Sequence, residues 1–148
     1  MDTSRKVVVA VAVLIVAALV GWRGGKALAR SHYHEQLNNA DKLIDAVVVA
    51  INKRAPQMVD SDTRLDNAAG VAGTLIYYYT LPRVSYLQLA PSELRAEVQP
   101  VIRNRMCTSP ESTFLLSKGV KVKMVYRDKF GKQFMELPIQ AADCAGVL

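Results

Sequence analysis

The sequence predicts an α+β fold: an N-terminal transmembrane helix, a long amphipathic helix, and a small antiparallel sheet of about three strands with one or two further helices, closed by a disulfide. Three observations carry this reading. Residues Val7 to Trp22 form an uncharged apolar run. Helical periodicity near residues 30–54 then gives way to strand-like runs at 74–81, 120–127 and 133–139. Finally, the only two cysteines, Cys107 and Cys144, bracket the end of the chain's second half.

The apolar run holds 16 residues, about 24 Å of helix at 1.5 Å per residue. That is slightly short for a hydrocarbon core about 30 Å thick. Lys6 and Arg23 can snorkel toward headgroups, and Trp22 stands where an interfacial aromatic belongs. A cleaved signal peptide competes with the anchor, because Arg5 and Lys6 form a basic start and Ala27-Leu28-Ala29 imitates a cleavage site. Arg23 and Lys26 oppose cleavage, since they place charge where such peptides are neutral. Ala17, Gly21, Gly25 and Ala29 recur every fourth residue. That spacing lays small side chains on one helix face, a packing face for a second copy or another membrane protein. The expected organisation is a cytoplasmic N-terminus over 1–6, an anchor and juxtamembrane segment over 7–29, and a periplasmic α+β domain over 30–148.

The net charge is +6, and Arg5, Lys6, Arg23, Lys26 and Arg30 against Asp2 supply four of the six charges within residues 1–30. Headgroup attraction accounts for such flanking charge, and a nucleic-acid partner is not indicated. Two basic residues precede the run and three follow it, so charge alone leaves orientation open.

Beyond the anchor, Leu37, Ala40, Ile44, Val47 and Ile51 recur at spacings of three and four, an apolar helical stripe ended before Pro56. Gly24 and Gly25 mark the expected bend between the membrane run and this helix. Asp60 to Asp66 reads as a polar loop. Thr74 to Leu81, rich in tyrosine and β-branched residues, reads as a strand limited by Pro82. Pro91 opens a second helix toward Met106, with Pro100 as a kink or break. Glu111 to Lys118 reads as a short helix stopped at Gly119. Val120, Val122, Met124 and Tyr126 alternate with Lys121, Lys123, Val125 and Arg127, a half-buried strand. A turn at Gly131 returns the chain through Gln133 to Ile139.

Cys107 and Cys144 lack the CxxC spacing of a redox or zinc site. Two separate buried thiols would fit a cytosolic domain. Behind an export-like N-terminus, an even pair fits a structural disulfide better and places the domain in the periplasm.

Chemistry-bearing patterns are sparse. The only histidines, His32 and His34, stand just past the anchor, ahead of the folded core, and point apart on a helix. A Ser-His-Asp or Cys-His system within the domain is therefore excluded. Asp60, Asp62 and Asp66 imitate the start of a calcium loop. The pattern fails at Arg64, Leu65 and Val71, so turn chemistry with Arg64 paired to an aspartate is expected. No metal site, glycine-rich phosphate loop or cofactor is indicated. Lys118, Lys121, Lys123, Arg127, Lys129 and Lys132 cluster around the hairpin. They read as solvated lysines that guard a sheet edge, or as a surface for an acidic partner or anionic headgroups.

Several stretches together resemble a known group. These are Ile51-Asn52-Lys53, Met58-Val59-Asp60, Thr63-Arg64-Leu65-Asp66, Tyr79-Thr80-Leu81, Cys107, Leu115-Leu116, Gly119-Val120, Tyr126-Arg127-Asp128, Gly131 and Asp143-Cys144. Over roughly residues 45–145 the chain resembles small bacterial envelope proteins carried behind a membrane anchor or lipoprotein signal, with a two-cysteine C-terminal α+β domain. It departs from them at Phe130, where a small polar turn residue is expected. The resemblance implies the disulfide and export, gives the aspartate loop weight, and supplies no catalytic residue.

The function expected from these features is non-enzymatic: a single-pass inner-membrane protein whose periplasmic domain binds a partner, as an accessory or assembly subunit of an envelope complex. The partners expected are the membrane and another membrane or envelope protein, or a second copy through the anchor. Candidate partner contacts are Met58, Asp60, Asp62, Arg64, Asp66, Tyr77 and Tyr79. The competing expectation is a soluble periplasmic binding module released by signal-peptide cleavage.

Overall fold

The computed structural model describes residues 35, 36, 38–88 and 91–146, and every element named here belongs to the unit Gln36–Leu148. The expected transmembrane run Val7 to Trp22, the series Ala17, Gly21, Gly25 and Ala29, the histidines, and Leu37 of the helical stripe lie outside the described residues. Among the described residues no helix is long and apolar enough to cross a membrane.

The first helix, α1 (residues 38–52), follows the apolar stripe. Ala40 and Ile44 are buried, with Leu43, Val47, Val48 and Ile51 packed beside them against Ala68, Leu75, Leu115 and Val120. Burial on one face outweighs the poor helix propensity of the run Val47-Val48-Val49.

Five strands follow: β1 (Gln57–Met58), β2 (Arg64–Val71), β3 (Thr74–Thr80), β4 (Lys121–Arg127) and β5 (Gln133–Ile139), in the spatial order β1-β2-β3-β4-β5. The expectation of about three antiparallel strands is corrected twice. There are five, and β3 pairs with β4 in parallel while the other neighbours are antiparallel. Parallel pairing requires a long crossover. Here the crossover is α2 (Pro91–Thr108) and α3 (Pro110–Ser117).

Strand β2 is the element that its own residues conceal. Arg-Leu-Asp-Asn-Ala-Ala-Gly-Val is poor in strand formers and opens within the expected polar loop. Packing explains the small residues. A Cβ added at Gly70 would lie 2.5 Å from the Ile44 Cγ2. The turn from β2 to β3 places Ala72 at φ 46 and Gly73 at φ 74, the conformation of a type I′ hairpin. The Asp41 carboxylate on α1 accepts the Gly73 N–H at 2.8 Å.

Helix α2 runs without interruption through Pro100, contrary to the expected kink or break. Pro100 and Ala96 both lie on its exposed side, so water can satisfy the Ala96 carbonyl that the missing N–H releases. Ser109 caps α3 through its side chain, Pro110 occupies the first turn, and Gly119 ends the segment at φ +80. The Cys107–Cys144 disulfide, with Cα atoms 5.3 Å apart, ties the last turn of α2 to a 3-10 turn at Ala141–Cys144.

All three helices cover one face of the sheet. Leu75, Val122, Met124, Leu137 and Ile139 are buried beneath them. The opposite face carries Ile76, Tyr78, Lys123, Val125 and Arg127. There the Arg127 guanidinium lies 4.9 Å from the Tyr78 ring centroid, and Lys123 pairs with Glu136 at 3.8 Å.

Candidate functional site

Between α2 and the covered face of the sheet lies an open groove of about 540 Å³. Its helical wall is Leu94, Val98, Ile102 and Met106, spaced by four residues and therefore on one side of α2. Its floor is Tyr77 and Tyr79 of β3, Met124 and Tyr126 of β4, and Met135 of β5. Val59, Asp60 and Thr63, from the segment joining β1 to β2, close one flank.

The parallel register sets the floor. It places Tyr79 opposite Tyr126 and Tyr77 opposite Met124, so alternation brings all three phenols to the same face. The Tyr79 and Tyr126 rings stack with centroids 5.1 Å apart, and Tyr77 and Tyr79 follow at 6.2 Å. Burial raises the pKa of all three. Tyr126 is pushed up to about 12, by burial first and then by the Asp60 charge, while Arg105 opposes the shift. Burial raises Tyr79 further, with the neighbouring phenols adding to it, and raises Tyr77 as well. The Tyr126 hydroxyl donates to the Met124 sulfur at 3.7 Å. Among the described residues no buried side-chain nitrogen or oxygen lacks a partner.

Charge is confined to the mouth. Asp60 and Arg105 both line it, and neither forms one of the ion pairs among the described residues, which are Arg64–Asp66, Arg83–Asp62 and Lys123–Glu136. The Asp60 carboxylate accepts the Asp62 N–H at 2.8 Å, and that bond foremost holds its carboxyl below the usual carboxylate range. Among the described residues no cluster of metal-ligating side chains occurs.

The groove offers apolar and aromatic surface with three methionine side chains able to re-pack around a guest.

Of the residues singled out from the sequence, Asp60, Tyr77 and Tyr79 meet in the groove. Met58 is an exposed residue of β1 beside Val59. Asp62 is exposed and paired with Arg83 at 3.3 Å. Arg64 and Asp66 pair with each other at 2.7 Å, the local ion pair expected, and Asp66 also accepts from the Thr80 hydroxyl. Arg64 is in register with Thr80, on the face opposite Tyr79, so these two do not join the groove. The partner contacts expected from the sequence do not include the helical wall, Tyr126, Arg105 or the three methionines of the groove. The spacing of Leu94, Val98, Ile102 and Met106 was the available signal for the wall, whereas Met106, Met124 and Met135 converge only through nonlocal packing.

No protein-family model matches the chain, and no curated protein matches it in sequence. Solved structures share its fold. A candidate secreted protein of Pseudomonas aeruginosa superposes with a TM-score of 0.62 at 15% identity, covering 74% of this chain and 96% of that one. EpsS, the type 2 secretion system pilotin of Vibrio vulnificus, gives 0.64 at 11% identity, covering 75% and 96%. AspS, the type II secretion system pilotin of Vibrio cholerae, gives 0.62 at 13% identity, covering 76% and 98%. At these identities the likeness is one of fold.

Proposed function

We propose that this chain is a non-enzymatic accessory or assembly subunit of a bacterial envelope complex. It is held at the inner membrane by Val7 to Trp22, and its periplasmic domain docks an apolar segment of a partner protein between α2 and the sheet. The observation that carries the reading is the groove itself: an aromatic and methionine floor under an aliphatic helix face, with opposite charges only at its mouth. Aromatic residues and methionine are the types enriched in protein interfaces. The pilotin fold of two neighbours and the disulfide support an accessory role outside the cytoplasm.

The test is photocrosslinking in membranes of the source cell, with a photoreactive residue in place of Leu94 in the groove or of Pro138 on the far face. The expected result is a discrete protein adduct from the Leu94 position alone, lost on Val98→Asp in protein that retains its melting temperature. Equal adducts from both positions, or none from Leu94, would sink the reading.

A further inference from the structure

The end of the sheet where β3 and β4 finish carries a second surface that the groove does not use. Two loops meet there, residues 81–88 and 128–132, and Asp128 joins them. Its carboxylate is wholly enclosed and accepts the N–H groups of Phe130 and Lys132 at 2.9 Å and of Tyr86 at 3.2 Å. The Lys129 N–H donates to the Val84 carbonyl at 2.9 Å, and Gly131 takes a φ of +80 to complete the turn. These bonds make a rigid platform rather than two independent turns.

The platform presents apolar side chains outward. Leu87 and Phe130, at 76% and 73% exposure, are the most exposed large hydrophobic residues among those described. Cations surround them. Lys129 lies 5.0 Å from the Phe130 ring centroid, Lys132 lies 3.5 Å from that of Tyr86, and Arg83 stands on the same loop as Leu87. The only acids on these loops and their ion pairs are Asp128, enclosed and hydrogen-bonded, and Asp62, paired with Arg83.

We propose that this platform seats on an anionic bilayer surface, with Phe130 and Leu87 entering the headgroup region and Lys129, Lys132 and Arg83 contacting lipid phosphates. Apolar side chains projecting from cation-flanked turns suit a soft interface, where buried apolar area and attraction to anionic lipid act together. The inference rests on the membrane attachment read from Val7 to Trp22. Chain length permits it. Residues 23–34 can span at most about 40 Å, whereas a seven-residue strand is only about 23 Å long. That span exceeds the distance from the Gly73 turn beside α1 to the platform at the other end of the sheet.

The test uses the full chain carrying Trp22→Phe, which removes the single tryptophan, and Phe130→Trp. It is reconstituted into phosphatidylcholine vesicles with or without phosphatidylglycerol, some bearing brominated acyl chains. The expected result is a blue-shifted, bromine-quenched indole when phosphatidylglycerol is present, with quenching reduced severalfold by K129E/K132E or by high salt. An indole open to aqueous acrylamide in both lipid mixtures overturns the proposal. Flotation of the same samples reports attachment separately. Chains that float with a water-exposed indole sink the platform and spare the anchor. Chains that fail to float on phosphatidylcholine, yet are quenched with phosphatidylglycerol, support the platform and remove the anchor.

Discussion

The side-chain amide of Asn52 and the backbone of Ala68 exchange two hydrogen bonds: Asn52 Nδ2 donates to the Ala68 carbonyl at 2.9 Å, and the Ala68 N–H donates to Asn52 Oδ1 at 2.8 Å. One side chain thus supplies the donor and acceptor that a neighbouring strand would offer. Strand β1 pairs only with Arg64 and Leu65, so the rest of that β2 edge would otherwise stay open to association with other chains. Asn52→Ala is expected to cost about 2 kcal/mol, two ordinary hydrogen bonds, measured by urea denaturation. Asn52→Asp should recover less than half of this, because a carboxylate cannot donate to Ala68.

Gly70 is expected to tolerate no side chain while Ile44 remains. Gly70→Ala drives a methyl into the Ile44 Cγ2 and should cost about 1–3 kcal/mol by overpacking. Ile44→Ala alone leaves a cavity, at about 2–5 kcal/mol. The double variant should lose clearly less than the sum of the singles. Additive losses in denaturant titrations would contradict this contact.

The Cys107–Cys144 disulfide closes a separation of 37 residues, for which loop entropy gives a stabilisation of about 4 kcal/mol. Cys107→Ser with Cys144→Ser should lower the melting temperature markedly. A reductant should lower it in the parent chain and leave the double variant unchanged.

The groove tyrosines make stability fall at high pH. Their pKa values are raised in the fold, Tyr126 to about 12, so the neutral phenols are favoured there. Their contribution is fully present below the unfolded value of about 10 and is lost as pH rises through the folded values. Titration of absorbance near 295 nm should show part of the tyrosine signal delayed beyond pH 11 and released on unfolding. Tyr79→Phe should shrink the delayed fraction.

Asp128 predicts the acid side. Burial pushes its carboxyl up, but the Lys132, Tyr86 and Phe130 N–H groups together outweigh burial and leave it below the ordinary value. Its contribution is therefore present above about pH 4 and is lost as pH falls through its folded value. Amide exchange at Tyr86, Phe130 and Lys132 should accelerate in acid before the sheet opens. Asp128→Ala should reproduce that acceleration at neutral pH.

Elements with their own periodicity were legible in the sequence. The α1 stripe announced itself through Ala40 and Ile44, and β5 occupies Gln133–Ile139 as expected. Strand β2 was not legible, because its small residues answer to Ile44 and its hydrogen bonds to Asn52, contacts spanning 16 or more residues. The candidate site divided in the same way. Tyr77 and Tyr79 are legible as unusual strand residues, whereas nothing local distinguishes Arg105, which only folding sets at the mouth of the groove.

What the sequence determined by itself was local: a charge-flanked apolar run, helices and strands with their solvent faces, and a cysteine pair placed to be joined. Such features follow from side-chain period and propensity within a few residues. Tertiary structure decided that β3 and β4 run parallel, that Tyr79 stacks on Tyr126, and that loops around Val84 and Asp128 form one platform. Those outcomes depend on which distant surfaces exclude water from one another, and neither period nor propensity carries that choice of partner.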